Sequence, residues 1–311
     1  MHEIPIVYQG EPGANSEEAI EKFGLMHHLN LKPVPVRNLE MIFDEVLPSI
    51  GLALIPIENS KAGVVIKTID HLLKHEVSII GELYLPVVHN LMGWAPPNYG
   101  GNGARLNLRG KLVHSHWQAI DQCQEHIIRR GLNFKIEEDT AGSARMISEM
   151  KGDNRYDHLA IAHERAAALY GLTIFESHFQ DDPLNTTHFV ALKHPSYNFN
   201  IEKRIRGEGV LKATLAFYSV DLVSAIQYVL SAKHQGFKPE TFWERPSQVD
   251  RDPTKVFNRL FYADFEIPSR KKVVFERYYA DMRKNHNDGQ IKLLGIYPAH
   301  DFTFKNNPLS K

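Results

Sequence analysis

Strand and helix patterns alternate along the first two thirds of the chain. Continuous apolar runs such as "IPIVY" (4–8) and "GLALIPI" (51–57) are typical of strands buried on both faces of a sheet. Between such runs lie amphipathic helical patterns, with Asn38 as the cap of "NLEMIFDEVL" and with Asn15 and Glu18 placed to cap the first helix. This alternation predicts parallel α/β sheets connected by right-handed crossovers.

The order of elements changes near residue 211. A Pro- and Asn-containing stretch at 194–210 is expected to be a linker, and the segments after it follow the order β-α-β-β-α-β up to residue 298. That order is the ferredoxin-like split pattern. The sequence therefore predicts an α/β body at 1–193, whose second lobe covers about 90–171, and a small α+β domain at 211–298.

Charge and cysteine content exclude several classes of function. The 311 residues include 36 Lys and Arg against 37 Asp and Glu, so no basic surface favours nucleic acid or an anionic membrane. Neither a signal peptide nor a membrane-spanning apolar run is recognisable, which favours a cytoplasmic protein. The single cysteine, Cys123, lies in a helical pattern and is expected to be buried filler. Because no C-x-x-C or H-E-x-x-H pattern occurs, no metal site is expected.

Polar residues collect at the ends of several expected strands. In "LNTTHFVAL" (184–192) two threonines and a histidine precede an apolar run, and Asn59 and Ser60 follow "LALIPI". Ligands of open α/β sheets bind beyond strand ends, so these groups are candidates for one cleft, together with Ser115, His116 and Gln118 after "KLVHS". The alternative is that such residues only start strands and turns by bonding to local backbone groups.

Six motifs cover about residues 4–193 and read "YQGEPGANSEEA", "IPIENSKAGVV", "IIGELYLPVVHNLMG", "VHSHWQAIDQC", "DTAGSARMISE" and "AAALYGL…QDDPLNTTHFVAL". Taken together and in this order, they resemble those of the prephenate dehydratase family. The tail looks like the ACT regulatory domain that usually follows in this family. The resemblance implies a two-lobed catalytic domain similar to type II periplasmic binding proteins, with its active site between the lobes, plus a ferredoxin-like ACT domain.

The resemblance also implies the activity, which is the decarboxylating dehydration of prephenate to phenylpyruvate on the route to L-phenylalanine. Thr187, Asn59 and Gln122 match residues implicated in catalysis. No cofactor is expected, L-phenylalanine is a possible effector, and a homodimer or homotetramer is expected. Substrate contacts are expected from Ser60, His89, Ser115, Gln118, Thr186, His188 and Phe189.

His188 departs from the family pattern, which has Arg between Thr and Phe. A neutral imidazole grips a carboxylate less firmly than a guanidinium fork, so another cation (Arg37, Arg145 or Arg165) would have to compensate. His163 also replaces the family's usual Ser at a helix-capping position. His188 and altered effector motifs in the C-terminal domain motivate an alternative hypothesis, a catalytically weak homologue that senses a small carboxylate or amino acid. Arogenate is an alternative substrate.

The C-terminal domain departs from the pattern as well. Val223 and its two successors replace the Gly-Ala-Leu turn of the family's phenylalanine-binding region. The Glu-Ser-Arg-Pro motif stands here as Trp243, Glu244, Arg245 and Pro246, so only its second half matches. Glu244, Arg245 and Pro246 are the candidate effector-binding residues. Because glycine permits close approach of a ligand and valine does not, weak or absent phenylalanine feedback is expected.

Overall fold

The structure is a computed structural model of the whole chain. It describes residues 3–97, 99–100, 106–205, 207, 209–219, 222–246, 259–285 and 291–300. Within these residues, no helix is long and apolar enough to cross a membrane.

The first lobe is built on a mixed sheet of strands in the order β2-β1-β3-β11-β5, with the short β4 paired to β3. Its elements are β1 (Ile4–Gln9), α1 (Asn15–His27), β2 (Leu31–Val36), α2 (Leu39–Met41), a π-helical turn (Ile42–Val46), α3 (Leu47–Ile50), β3 (Leu52–Asn59), β4 (Gly63–Val64), α4 (Ile66–Lys74), β5 (Ser78–Pro86) and, after the chain returns from the second lobe, β11 (Thr186–Lys193).

The direction of β11 differs from the expectation. β1 runs parallel to β2 and β3, but β11 pairs antiparallel with both β3 and β5, so the prediction of purely parallel sheets was wrong. Parallel neighbours need a crossover on the same sheet. β11 instead enters from the other lobe, and it is therefore free to run in the opposite direction.

The second lobe has a five-stranded sheet in the order β10-β6-β9-β7-β8, which is also mixed. Its elements are β6 (Asn90–Gly93), β7 (Leu112–His116), α5 (Trp117–Asp121), α6 (Gln124–Arg130), β8 (Asn133–Glu137), α7 (Thr140–Glu149), a 3-10 turn (Asp153–Asp157), β9 (His158–Ala162), α8 (Glu164–Tyr170) and β10 (Thr173–Glu176). Two connections join the lobes, β5 to β6 and β10 to β11. This confirms the two-lobed arrangement.

Helix starts follow the sequence in one case and not in another. Asn38 caps its helix as predicted, since its Oδ1 accepts a hydrogen bond from the Met41 backbone N–H at 2.8 Å. The prediction for α1 was wrong, because Ala14 is the residue at the cap and makes no side-chain bond there. The Gly13 N–H instead donates to Glu17, and Glu18 reaches across to the second lobe.

His163 joins the two lobes through that reach. Its Nδ1 accepts from the Arg165 N–H at 3.4 Å and caps α8, while its Nε2 lies 2.9 Å from a Glu18 carboxylate oxygen. Arg165 then donates to both carboxylate oxygens of Glu21. Capping therefore persists without the usual serine, and the imidazole adds a contact between the lobes.

We expect Glu18 to contribute stability that acid removes. Burial raises the pKa of Glu18, but hydrogen bonds from His163 and Lys22 lower it by more. The result is a pKa of about 2 in place of an ordinary 4.5. A carboxyl with a depressed pKa stabilises the fold above its unfolded pKa, and this contribution is lost as pH falls from about 4.5 to 2.

Glu18→Gln should therefore reduce the free energy of unfolding at pH 7 by about 1–2 kcal/mol, after allowance for solvent screening. The same variant should unfold with a shallower pH dependence between about 4.5 and 2. Urea titrations at several pH values measure this, with Glu125→Gln on the exposed side of α6 as the control. Identical acid profiles for Glu18→Gln and wild type would contradict the prediction.

The C-terminal segment forms a four-stranded antiparallel sheet in the order β13-β14-β12-β15. Its elements are β12 (Val210–Ser219), α9 (Leu222–His234), β13 (Lys238–Pro246), β14 (Arg259–Pro268), a 3-10 turn (Ser269–Lys271), α10 (Lys272–Asn285) and β15 (Ile291–Pro298). The order confirms the ferredoxin-like topology.

This sheet is packed on both faces. One face forms a core with α9 and α10, including Phe261 and Phe275. The opposite face contributes Tyr262 and Tyr297 to the same apolar cluster as Val190 and Leu192 of β11. In the preceding stretch 194–210, Ile201 and Ile205 are buried in the other core of the first lobe. The C-terminal domain thus shares a continuous core with the strand that carries Thr187.

Candidate active site

A cleft of about 340 Å³ lies where the two lobes meet. The first lobe contributes the end of β3, the start of β11 and the start of α1, and the second lobe contributes α5 and the start of α7. Its lining residues are Gln9, Asn15, Ser16, Pro56, Asn59, Ala62, Gly63, Val64, Val65, Val87, His89, His116, Gln118, Ala119, Gln122, Thr140, Thr187 and Phe189. Among these described lining residues there is no Asp, Glu, Lys or Arg.

A larger cavity of about 780 Å³ lies elsewhere, on the second lobe beside α6 and β10. Arg130 lines it, but both ends of that guanidinium fork are bonded to Glu176 at 2.7 and 2.8 Å. Convergent polar groups rather than volume identify a reaction site. The smaller cleft between the lobes is therefore the candidate active site.

Thr187 and Asn59 form one unit at the end of paired strands. They are direct partners in the β3–β11 ladder, and the Asn59 side-chain amide donates to Thr187 Oγ1 at 3.0 Å. The Asn59 Oδ1 accepts from the backbone N–H groups of Lys61 and Ala62 at 3.0 and 2.9 Å. These two acceptor contacts fix the orientation of the amide, so its nitrogen faces Thr187.

This orientation leaves the Thr187 hydroxyl proton available. Because the hydroxyl oxygen already accepts from Asn59, its own hydrogen is directed toward another acceptor. Thr187 lines the cleft, where a bound ligand can supply that acceptor. The pair therefore presents a positioned O–H donor to the cleft.

Gln122 and His89 form a second unit, at the opposite side of the cleft. The His89 Nε2 lies 2.9 Å from Gln122 Oε1, and burial lowers the pKa of His89 to about 4. The imidazole is therefore neutral at pH 7, and its Nε2–H is the donor to Gln122. The amide nitrogen of Gln122 then remains as a donor toward the cleft.

The helix expected around Gln122 is interrupted. Gln122 is the C-cap of α5, Cys123 is the N-cap of α6, and the left-handed Gly131 is the C-cap of α6. Gln118 and Gln122 both line the cleft. Cys123 is fully buried, as predicted, and burial raises the pKa of its thiol, which keeps it protonated.

Six of the ten predicted contact residues line the cleft, and four do not. Those that line it are Asn59, His89, Gln118, Gln122, Thr187 and Phe189. Ser60 and Thr186 bond to each other's backbone instead, through the Thr186 N–H to Ser60 Oγ at 3.0 Å and the Ser60 N–H to the Thr186 carbonyl at 2.9 Å. For this pair, the local-backbone alternative is the one that the geometry supports.

Ser115 is buried in the second lobe and donates to the Ile161 carbonyl at 2.6 Å. Ser115→Ala should leave kcat and KM unchanged and cost about 1 kcal/mol of stability, because a single intramolecular hydrogen bond contributes about that much. Steady-state kinetics and thermal unfolding on the same preparation measure both. A large rise in KM would return Ser115 to the binding site.

His188 lies on the face of β11 opposite to Thr187, away from the cleft. Its Nε2 is 2.8 Å from Glu82 Oε2, and its ring stacks on Tyr84. Side chains alternate between the two faces of a strand, so residues 187 and 188 cannot both point into one cleft. This placement replaces the expectation that His188 grips a substrate carboxylate.

The proposed compensating arginines also have partners outside the cleft. Arg37 lies 3.3 Å from Glu138, Arg145 lies 3.7 Å from Glu11, and Arg165 donates to Glu21. None of the three is among the residues that line the cleft. In the described part of the chain, no arginine is therefore available to a ligand in this cleft.

Helix N-termini supply positive potential in their place. The first residues of α1 (Asn15 and Ser16) and of α7 (Thr140) line the cleft, and the N-terminal N–H groups of a helix attract anions. Thr140 was not predicted, although its position after the cap Asp139 was a readable signal. Gln9, at the end of β1, was also missed.

A sequence profile described as prephenate dehydratase matches residues 6–197, which include both lobes and every residue of the cleft. The chain belongs to the prephenate dehydratase family. This finding confirms the resemblance read from the six ordered motifs. Members carry out a lyase-type dehydration, so the chain is assigned to the prephenate/arogenate dehydratases as a group.

Similar proteins include plant enzymes with either substrate in their names. "Arogenate dehydratase/prephenate dehydratase 6, chloroplastic" of Arabidopsis thaliana is 33% identical over 95% of this chain and 69% of its own length. "Arogenate dehydratase 1" of Petunia hybrida is 32% identical over 95% of this chain and 67% of its own length.

Solved structures share the fold over nearly the whole chain. A prephenate dehydratase of Arthrobacter aurescens in complex with L-Phe has a TM-score of 0.75 at 20% identity, covering 96% of this chain and 91% of its own. GqqA, described as a novel type of quorum quenching acylase, has a TM-score of 0.74 at 25% identity, covering 96% of this chain and 99% of its own.

Proposed function

We propose that this protein converts prephenate to phenylpyruvate, water and carbon dioxide, and so serves L-phenylalanine biosynthesis. The observation that carries the proposal is the Thr187 hydroxyl, held by Asn59 at 3.0 Å and facing a cleft of neutral polar groups. The family assignment supports the reaction class.

The chemistry requires few catalytic groups. As the bond to the departing carbon dioxide breaks, its electron pair moves into the ring, the ring C–O bond breaks, and the ring becomes aromatic. The leaving hydroxide has to be protonated, which a positioned O–H donor assists. Thr187 is placed as that donor, although its high pKa makes it a poor free acid.

The remaining groups hold the substrate. Prephenate is a dianion, and the N–H groups at the starts of α1 and α7 can donate hydrogen bonds to its carboxylates. The amides of Gln118 and Gln122 can orient the carboxylates without adding charge. Holding the dianion in the reactive geometry contributes to the rate because the reacting groups no longer have to find one another.

The neutral lining favours prephenate over arogenate. Arogenate carries an ammonium group where prephenate has a keto group, and a buried ammonium group needs an anionic partner. No carboxylate is found among the described residues of the cleft. We therefore propose prephenate as the preferred substrate and arogenate as the alternative.

A turnover assay on purified protein tests this proposal. Prephenate and arogenate are supplied separately, without added metal or nucleotide and in the presence of a chelator, and phenylpyruvate and phenylalanine are followed. We expect the protein to turn over prephenate. If it also turns over arogenate, kcat/KM should be higher on prephenate. A higher kcat/KM on arogenate would make arogenate the preferred substrate. If the folded protein turned over neither compound, the alternative hypothesis of a catalytically weak sensor would be favoured.

The sensor alternative has lost one of its two motives. It rested on the altered effector motifs and on His188 weakening the grip on a carboxylate, but His188 bonds to Glu82 and does not line the cleft. A sensor would bind prephenate without consuming it. Calorimetry on an inactive preparation would reveal that behaviour.

We also propose that the C-terminal domain is an ACT domain with little or no response to phenylalanine. Val223 is 66% exposed at the start of α9, where the family's turn has a small residue, and Glu244 pairs with Arg259 at 2.5 Å. The side chains of Arg245 and Pro246 lie outside the described residues, so their expected role in effector binding stays a prediction.

Phenylalanine should therefore inhibit weakly or not at all. The reason is that a valine side chain blocks the close backbone approach that glycine allows, so phenylalanine should bind weakly. Isothermal titration of the whole protein with phenylalanine measures this binding. Tight binding that Arg245→Ala abolishes would show the expectation to be wrong.

The expected homodimer or homotetramer is proposed from the exposed apolar side chains of α9, among them Leu230.

A further inference from the structure

A buried carboxylate connects the catalytic strand with the C-terminal domain. Glu82 of β5 is only 2% exposed, and donors from three separate segments surround it. Its Oε2 lies 2.8 Å from both His188 Nε2 and Lys212 Nζ, and its Oε1 accepts from the His300 backbone N–H at 2.9 Å. The first lobe supplies the acid and the imidazole, while β12 of the C-terminal domain supplies the cation.

Tyr84 completes this cluster from the same strand. Its ring stacks on His188 with centroids 4.3 Å apart and planes 11° apart, and its hydroxyl accepts from Lys212 Nζ at 3.0 Å. The imidazole of His188 is thus held at its edge by Glu82 and on its face by Tyr84. Lys212 contacts both residues that hold it.

The cluster lies directly behind the proposed catalytic hydroxyl. His188 follows Thr187, and the ladder between β11 and β3 is irregular between His188 and Phe189. Pairing on the β3 side is therefore interrupted one residue beyond Thr187. His188 lies between Thr187 and this irregularity, and its side chain is held on the opposite face of the strand by Glu82.

The contact between His188 and Glu82 depends on the positive charge of Lys212. A buried carboxylate is stable only when it is paired and hydrogen-bonded, and removing one partner of a buried pair leaves an uncompensated charge. Burial raises the pKa of Glu82, but the His188 hydrogen bond and the Lys212 charge lower it to about 2. Without Lys212, the Glu82 carboxylate needs other donors. If its side chain moves, His188 and the start of β11 can move with it.

We propose that Lys212 and His188 are positioning residues, which act through Glu82 to hold the start of β11 so that the Thr187 hydroxyl meets the substrate in the correct place. The C-terminal domain would then set the reaction rate without touching the substrate. This inference rests on the proposed role of Thr187 in the dehydration.

The first test compares Lys212→Met, which keeps the length of the side chain and removes its charge, with Lys212→Arg, which keeps the charge. Lys212→Met should lower kcat about ten- to hundredfold with KM nearly unchanged, since small misplacements of a reacting group can cost about that much. Lys212→Arg should recover most of the loss. Lys238→Met, on the exposed surface of the same domain, is the matched control and should retain wild-type kinetics.

A double variant separates positioning from simple destabilisation. In a Thr187→Val background the Lys212→Met change should have little further effect on kcat, because the group being positioned is already gone. Losses that multiply, or a lower melting temperature with unchanged kcat, would overturn the proposal. If Lys212→Met does not fold, His188→Phe decides, since it keeps the stacking on Tyr84 and removes only the donor to Glu82. An unchanged kcat in His188→Phe would then overturn the proposal.

Hydrogen exchange gives a readout that does not need turnover. Backbone amides of 184–193 should exchange faster in Lys212→Met than in wild type or Lys238→Met. If wild-type protein turned over neither substrate, the proposed function would fail, and this measurement would still show whether the cluster holds the strand. Equal exchange in all three proteins would overturn the proposal.

Discussion

Thr187→Val should lower kcat about 10²–10³-fold while KM changes little, because one positioned donor to developing negative charge contributes about 2.7–4 kcal/mol. Valine has nearly the shape of threonine, so the strand end and the Asn59 side chain can stay in place. The variant loses the hydrogen directed at the leaving hydroxide and the oxygen that accepts from Asn59, whose amide still donates to the Asn185 side-chain oxygen at 2.9 Å. Steady-state kinetics with the preferred substrate measure the effect.

Thr186→Val is the matched control, since the neighbouring hydroxyl donates to the Leu184 carbonyl at 3.0 Å and does not line the cleft. This variant should keep kcat near the wild-type value and lose at most about 1 kcal/mol of stability, the contribution of one hydrogen bond. If both valine variants kept full activity, neither hydroxyl would take part in the reaction. Thr187 would then be a strand-start residue like Thr186.

Asn59→Asp should lower kcat/KM more, by about 10³-fold or above, because it combines the loss of a positioned donor with a new negative charge. One oxygen of the aspartate can still accept from Lys61 and Ala62, so the turn survives. The other oxygen stands where the amide nitrogen donated to Thr187. The threonine hydroxyl would then donate to this carboxylate and not to the substrate.

The added charge should also raise KM, since the substrate is a dianion and the cleft is lined by neutral side chains. Ser60→Ala, in the same turn, is the control and should behave as wild type. Kinetics with saturating and limiting substrate separate the two effects. A loss smaller than about tenfold would mean that the 3.0 Å contact between Asn59 and Thr187 does not orient the hydroxyl.

The cleft shows how far strand-end reasoning reaches. Asn59 and Thr187 were predicted as site residues, and they are partners across two adjacent strands although 128 positions separate them. Ser60 and Thr186 are their immediate neighbours, and they bond to each other's backbone instead. The alternation of a strand explains the split, but a sequence does not say which of two faces borders the cleft.

Local patterns were enough to identify the elements and the family. Alternating apolar runs indicated the α/β lobes, the order of elements after residue 211 indicated the ferredoxin-like sheet, and Asn38 marked the start of a helix. These signals depend on residues a few positions apart, because caps, helical faces and strand alternation are short-range properties. The ordered motifs identified the family for the same reason, since each is a continuous run.

Tertiary structure alone decided the direction of β11 and the partners of its side chains. The strand enters its sheet from the other lobe, and so it runs antiparallel to β3 and β5. His188 meets Glu82, 106 positions earlier, and Glu82 in turn meets Lys212, 130 positions later. Such pairs form only when separate lobes and domains pack together, and the chain order carries no local signal of which buried acid will face which base.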